Sequence, residues 1–256
     1  SLQPGWTDRW SRFRMFLFRC RMPPPYLDGR TVTSSGQTSR IFVGRQREMG
    51  ELRAALKESF AGHGRIVMLM GEPGIGKTRT AEELASHAET QGAQVLWGRC
   101  YEEDGAPSYW PWVQAIRSYV EPRNSDQLRV DLGPNAADFA EIVPEIRRKL
   151  TDLETPPDLP PEQARFRLFE SITSFLKTLA RSKPIMLVLD DLHWADEPSL
   201  LLLQFLAQQL ADSHILVVGC YRDVELSRQH PLSETLARIS READYQRHAL
   251  RRMGPG

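Results

Sequence analysis

The chain lacks several features that would assign it to a special class. It has only three cysteines in 256 residues, Cys20, Cys100 and Cys220. They are odd in number and far apart, so they offer neither a disulfide framework nor a paired-cysteine metal site, and a reducing compartment is expected. No apolar run approaches the roughly 18 residues that carry a helix across a bilayer. Neither charge is in excess, because Lys plus Arg and Asp plus Glu both number 33. That removes the broad basic field of a nucleic-acid surface while leaving local patches open. No internal repeat is visible. The hydrophobic fraction of 41% and charged fraction of 26% suit an ordinary folded chain with one large core or two small ones. A cytoplasmic location is the expectation.

The first forty residues are set apart by composition. Trp6, Trp10, Phe13 and Leu17 fall at helical spacing among Arg9, Arg12, Arg14, Arg19 and Arg21. Such a pattern suits a basic amphipathic helix on a membrane or partner surface. It suits equally a docking helix, or sequence that never orders. It is no secretory signal, since Met15-Phe16-Leu17-Phe18 is too short an apolar core and an arginine follows it. Pro23-Pro24-Pro25 and the polar stretch 31–40 read as a linker. Residues 1–40 are therefore expected to be disordered or loosely docked, with the folded core over 41–256. A chain that begins with Ser1 is also expected to be a fragment.

The sharpest signal is Gly71-Glu72-Pro73-Gly74-Ile75-Gly76-Lys77-Thr78, which fits G-x-x-x-x-G-K-S/T at every fixed position. Glycines there let the backbone curl through conformations closed to residues with a Cβ, so that N–H groups converge on a β-phosphate. Lys77 then reaches the β/γ-oxygens, and Thr78 places a hydroxyl on Mg²⁺. Arg79 follows directly and is counted with Glu72, Pro73 and Ile75 among the nucleotide-contacting residues. Context separates this from a plain glycine turn. An apolar run over 66–70 reads as a buried strand, and Ala81, Leu84, Ala85 and Ala88 then mark one helix face. The N-terminus of that helix adds partial positive charge beneath the phosphates.

Elsewhere the pattern alternates strand and helix. Met49, Leu52, Leu56 and Phe60 mark a helix before the first strand. Further strands are predicted over 94–100, 185–189, 215–218 and 245–250, with helices over 168–179, 198–210 and 232–239. The runs are continuously apolar rather than alternating, the sign of a parallel sheet covered on both faces. The long stretch between the second and third strands is expected to add helices at one end of the sheet. Its loop over 101–111, with Tyr109, Trp110 and Trp112 at or beside its end, offers a place for a small effector.

The third strand ends in Asp190-Asp191. A nucleotide site needs a carboxylate here for the Mg²⁺ shell beside the loop hydroxyl, and Asp190 takes that role. Asp191 is placed to orient an attacking water. It has one methylene less reach than Glu, so slow hydrolysis is expected and binding is the safer expectation. Asp196 and Glu197 ahead of Pro198 read as helix capping and first-turn charge. His193, alone in its loop, reads as structural or exposed. Arg222, beyond the fourth strand, lies over the ligand crevice of such a sheet. It either contacts the γ-phosphate or pairs with Asp223 or another acid.

Taken in order, Phe42-Val43-Gly44-Arg45, GEPGIGKT at 71–78, LVLDDLHWADEPS at 187–199, VVGCYRD at 217–223 and His230-Pro231-Leu232 resemble one family. It is the AAA ATPase module of STAND regulators, also called an origin-recognition-like AAA domain. Similar modules belong to large LuxR-type transcriptional regulators and to cyclase-linked proteins. The resemblance covers 41–250. It implies a doubly wound, parallel five-stranded α/β sheet of the P-loop NTPase class, ordered 5-1-4-3-2. It also implies ATP and Mg²⁺, an adenine pocket near Val43, Gly44 and Arg45, and a sensor role for Arg222. Lys77, Asp191 and Arg222 then form the catalytic set. Gln46 and Cys220 depart from the family pattern, which commonly has an acid and a hydroxyl residue there.

The family's lid and effector domains fall outside the sequence, so any DNA contact is expected only through them. Expected partners are ATP and ADP, with self-association or a regulatory protein beyond. Three functions stay open: an ATP-dependent signalling switch, a nucleotide-binding scaffold without turnover, and an origin-recognition-like DNA loader. Guanine use is disfavoured, because no Asn-Lys-x-Asp base-reading pattern is found.

Overall fold

Apolar residues at successive strand positions must face opposite ways, and this sheet has a core on each side to receive them. The computed structural model describes residues 45–102, 106–227 and 229–252. The expected N-terminal segment, and Val43 and Gly44 of the expected adenine pocket, lie outside the described residues.

Five strands, β1 (Arg65–Met70), β2 (Gln94–Arg99), β3 (Ile185–Asp190), β4 (Ile215–Tyr221) and β5 (Tyr245–Ala249), form one sheet. Its order is β2-β3-β4-β1-β5, and every neighbouring pair is parallel. This is the expected 5-1-4-3-2 order read from the other edge. On one face Val67, Leu69, Met186, Val188, Leu216, Val218 and Cys220 pack with α1 (Gln46–Phe60) and α2 (Lys77–Thr90). On the other, Ile66, Met68, Leu96, Ile185, Leu187, Leu189, Ile215 and Val217 meet the remaining helices. The strands are therefore buried on both faces, and the sheet is doubly wound.

Between β2 and β3 the chain forms α3 (Trp110–Val120), α4 (Ser125–Leu132), α5 (Ala136–Ile142), α6 (Glu145–Lys149) and α7 (Pro161–Ser182). Gly98 fixes how closely they approach, because a Cβ there would lie 1.9 Å from the carbonyl oxygen of Pro111. Only glycine lets the start of α3 sit against β2. Tyr109 and Trp112 are buried, Tyr109 edge-on to Phe169 at 6.1 Å and Trp112 donating its indole N–H to the Ser199 carbonyl at 3.2 Å. Those two rings serve the helical core rather than the effector surface expected of them. Their periodicity with the rest of α3 was the overlooked sign.

After β3 come α8 (Glu197–Ala207) and, after β4, α9 (Pro231–Glu242). Asp196 caps α8 by accepting from Ser199 N at 3.3 Å, as its position predicts. Strand β4 runs three residues beyond the apolar run, because Gly219, Cys220 and Tyr221 keep pairing with Met68, Leu69 and Met70. Among the described residues no helix is long and apolar enough to cross a membrane.

Candidate functional site

The carboxyl ends of β1, β3 and β4 open on one edge of the sheet, where α/β folds place their ligands. The loop leaving β1 turns through Gly71, Gly74 and Gly76 with φ of 150°, 72° and 99°. Gly76 caps α2 in the left-handed region, and no side chain bonds the first-turn N–H groups. A helix start left uncapped in this way suits an anion. Behind the loop, a Cβ on Gly71 would meet the Leu250 carbonyl at 2.7 Å, so the chain leaving β5 holds the loop from that side.

Lys77 lies in the first turn of α2 and is buried. Its ammonium donates to the carbonyls of Gly71 at 2.8 Å and Glu72 at 3.0 Å. Burial pulls its pKa down, and the positive charge of Arg222 adds to this, while Cys220, Asp191 and Asp190 oppose it. Thr78, next in the helix, donates its hydroxyl to Asp190 Oδ2 at 3.0 Å. A hydroxyl and a carboxylate are hard oxygen donors of the kind Mg²⁺ takes, so these two residues fit that ion. Asp190 is 1% exposed, and burial, then the neighbouring charge of Asp191, raises its pKa.

Asp191 takes a left-handed conformation at φ 55° and ψ 41°, which disfavours most L-residues by about 1–2 kcal/mol though Asp and Asn tolerate it better. Its carboxylate does not project freely. Arg99, the last residue of β2, donates to Asp191 Oδ2 from Nε at 3.0 Å and Nη2 at 2.8 Å. Reasoning from sequence missed Arg99. The signal lay in strand order, since β2 borders β3 and Arg99 pairs in register with Asp190. Cys220 is wholly buried, and burial first, then the negative charge of Asp190, drives its pKa well up.

Arg45 folds back over the loop. Its Nη2 donates to the Ile75 carbonyl at 2.6 Å and to the Arg251 carbonyl at 3.3 Å. It therefore ties the chain before α1, the phosphate loop and the chain after β5 together. Arg252 adds an ion pair with Glu72 at 2.9 Å. Pro73 and Gly74 are exposed at the loop tip, and Arg79 pairs with Glu82 at 3.3 Å on the surface of α2. Arg222 follows β4 directly. Its Nη1 lies 2.8 Å from Glu225 Oε1 and its guanidinium carbon 4.6 Å over the Trp194 ring. The acid pairing weighed for Arg222 is realised with Glu225 rather than Asp223.

A glycine loop between β1 and α2, a lysine and threonine at the helix start, and a carboxylate at the end of a neighbouring parallel strand define a P-loop NTPase fold. Residues 41–218 match the model of the AAA ATPase domain, and the chain belongs to that family. The match takes in the phosphate loop and the Asp190-Asp191 pair but ends before Arg222. An uncharacterised protein of Rhizobium meliloti is 22% identical over 204 residues, covering 73% of this chain and 19% of that protein. The chain thus spans about a fifth of that relative's length. Among solved structures, a STAND protein of Pyrococcus horikoshii with a tetratricopeptide repeat sensor has a TM-score of 0.44 at 16% identity, covering 84% of this chain and 24% of that one. A chain of Drosophila ORC bound to DNA has a TM-score of 0.41 at 13% identity, covering 81% and 93%.

Proposed function

We propose that this chain binds ATP with Mg²⁺ and serves as a slowly hydrolysing, STAND-type switch module within a larger cytoplasmic regulator. The observation that carries the reading is the buried Lys77 ammonium on the loop carbonyls together with the Thr78–Asp190 hydrogen bond, at a helix start that no side chain caps. Main-chain N–H groups of the loop and Lys77 would bind the phosphates, giving up the Gly71 and Glu72 carbonyls in exchange. Thr78 and Asp190 would hold Mg²⁺, which would supply neutralising charge to the phosphates. Asp191 would orient and accept a proton from the attacking water, and Arg222 would contact the γ-phosphate. Arg45, with Val43 and Gly44, would line the adenine side. The folded module is assigned to residues 41–256. Partners of the switch are ADP, ATP and either a second copy or a regulatory protein. Only a difference in affinity between two conformations lets a nucleotide drive such a switch.

The Arg99–Asp191 pair favours a second reading, binding without turnover. A carboxylate held by a guanidinium is a poor proton acceptor and is turned from the water it must orient. Calorimetry with ATP, ADP and GTP, with and without Mg²⁺, followed by a phosphate-release assay, tests both. Release that needs ATP and Mg²⁺ supports the switch, tight binding without release supports the second reading, and no binding at millimolar nucleotide rejects both. Under the switch reading, Arg99→Ala frees Asp191, so release rises while ATP affinity stays within about twofold, since the pair is partly exposed. DNA-stimulated release would instead favour a DNA loader.

A further inference from the structure

Arg222 sits in a cluster whose other three members, His193, Trp194 and Glu225, have no role assigned above. The His193 side chain is 0% exposed, yet neither ring nitrogen has a hydrogen-bond partner. Buried polar atoms are nearly always partnered, so an orphaned imidazole asks for a reason. Burial pushes its pKa below the usual range, so the ring is neutral and carries one N–H. Its Nε2 lies 3.4 Å from Glu225 Oε2, within ion-pair distance but without hydrogen-bond alignment. The other oxygen of Glu225 is engaged by Arg222 at 2.8 Å. Arg222 rests on Trp194, whose ring lies 4.5 Å from that of His193. Four side chains thus form a closed circuit at the end of β4.

We propose that Glu225 and Trp194 are positioning residues for Arg222, with Glu225 an internal competitor for the γ-phosphate and His193 the donor that takes over its carboxylate. The proposal rests on the reading that Arg222 contacts the triphosphate. A guanidinium offers its best hydrogen-bonding edge to one anion at a time. With ADP there is no γ-phosphate to draw Arg222 away, and it stays on Glu225. With ATP the arginine exchanges partners while its flat face remains on Trp194, so it pivots rather than being lost to solvent. The exchange would leave the Glu225 carboxylate, 35% exposed, without its cation. His193 already stands beside that carboxylate with Nε2 3.4 Å from Oε2, and in the tautomer that carries the proton on Nε2 a small rotation closes that bond. The orphaned nitrogen is then the waiting half of an exchange rather than a packing fault.

The test compares Mg²⁺-ATP and Mg²⁺-ADP affinities of the full chain by calorimetry, with melting curves to verify folding. Glu225→Gln removes the competing charge and is expected to tighten ATP by up to about fivefold, the range of a partly exposed ion pair, leaving ADP unchanged. Trp194→Leu is expected to weaken ATP about two- to fivefold through the lost cation–π contact, again sparing ADP. In an Arg222→Ala background Glu225→Gln should do nothing to the ATP/ADP ratio. A ratio that responds to Arg222→Ala but to neither Glu225→Gln nor Trp194→Leu overturns this proposal and leaves the Arg222 reading intact. A ratio indifferent to Arg222→Ala overturns both. A purely structural role would shift the melting curves or both affinities together, and that outcome also rejects the proposal.

Discussion

The strand tips and the helical insertion are built on opposite terms. In the insertion, Phe175 meets Tyr119 edge-on at 5.2 Å and Phe139 at 5.1 Å, and the Tyr119 hydroxyl donates to Asp131 at 2.8 Å. At the strand tips Lys77, Asp190 and Asp191 are buried together, and Asp191 holds a left-handed backbone. Clustered buried charges contribute little to stability and often oppose it. What holds the tips is the sheet beneath, where β1, β3 and β4 are buried almost throughout. The contrast teaches that one region supplies folding free energy while the other uses it to keep an arrangement poised for an anion and a cation.

The largest effect should come from the apolar side. Phe139 is fully buried, so Phe139→Ala is expected to destabilise by about 3–5 kcal/mol, read by denaturant unfolding. Nucleotide affinity of the fraction still folded should not change. A matching loss of affinity would break the separation of the two regions. Next is Asp191→Asn, which suits a left-handed position and removes the carboxylate. It should leave ATP binding and melting nearly unchanged while any turnover falls about 10²–10⁴-fold, the usual weight of a general base. Undiminished single-turnover hydrolysis would reject the assignment.

Lys77→Ala should lower ATP affinity at least about tenfold, since each charge-assisted bond lost is worth roughly 1.5–3 kcal/mol. Its stability effect should be small and favourable, because burial already disfavours the ammonium. Calorimetry and melting in parallel would read both. An unchanged affinity would remove Lys77 from the site.

Legibility in the sequence followed the same divide. The strands themselves, the phosphate loop and the Asp190-Asp191 pair were readable because each depends on a short contiguous pattern: apolar runs, glycine spacing, a carboxylate at a strand end; the strand order came only with the family resemblance. Arg99, Trp194 and Glu225 were not picked out as site residues, because their roles arise only when β2, β3 and β4 lie side by side. Trp112 was misread for a related reason. A tryptophan beside a loop looks available until Gly98 lets its helix press onto β2. Val43 and Gly44 remain expectations from resemblance, as they lie outside the described residues.

The smallest effect sharpens the contrast most. Asp190 is buried, and its pKa is raised by burial first and by Asp191 second, against the pull of Thr78 and Arg99. For an acid with a raised folded pKa, the unfolded chain gives up its proton at lower pH than the native state does. Between those two values the native state binds more protons, so stability falls as pH rises through that window and stays lowered above it. Asp190→Asn abolishes this contribution while keeping an oxygen for the Thr78 hydroxyl. The variant should therefore melt higher than the parent at neutral pH without nucleotide, with the gain shrinking as pH falls towards the ordinary carboxylate range. It should also lose the Mg²⁺ dependence of ATP binding. A gain in melting temperature that is the same at acid and neutral pH would show that Asp190 is not held charged against its surroundings, and the strand tips would then be no more strained than the aromatic core.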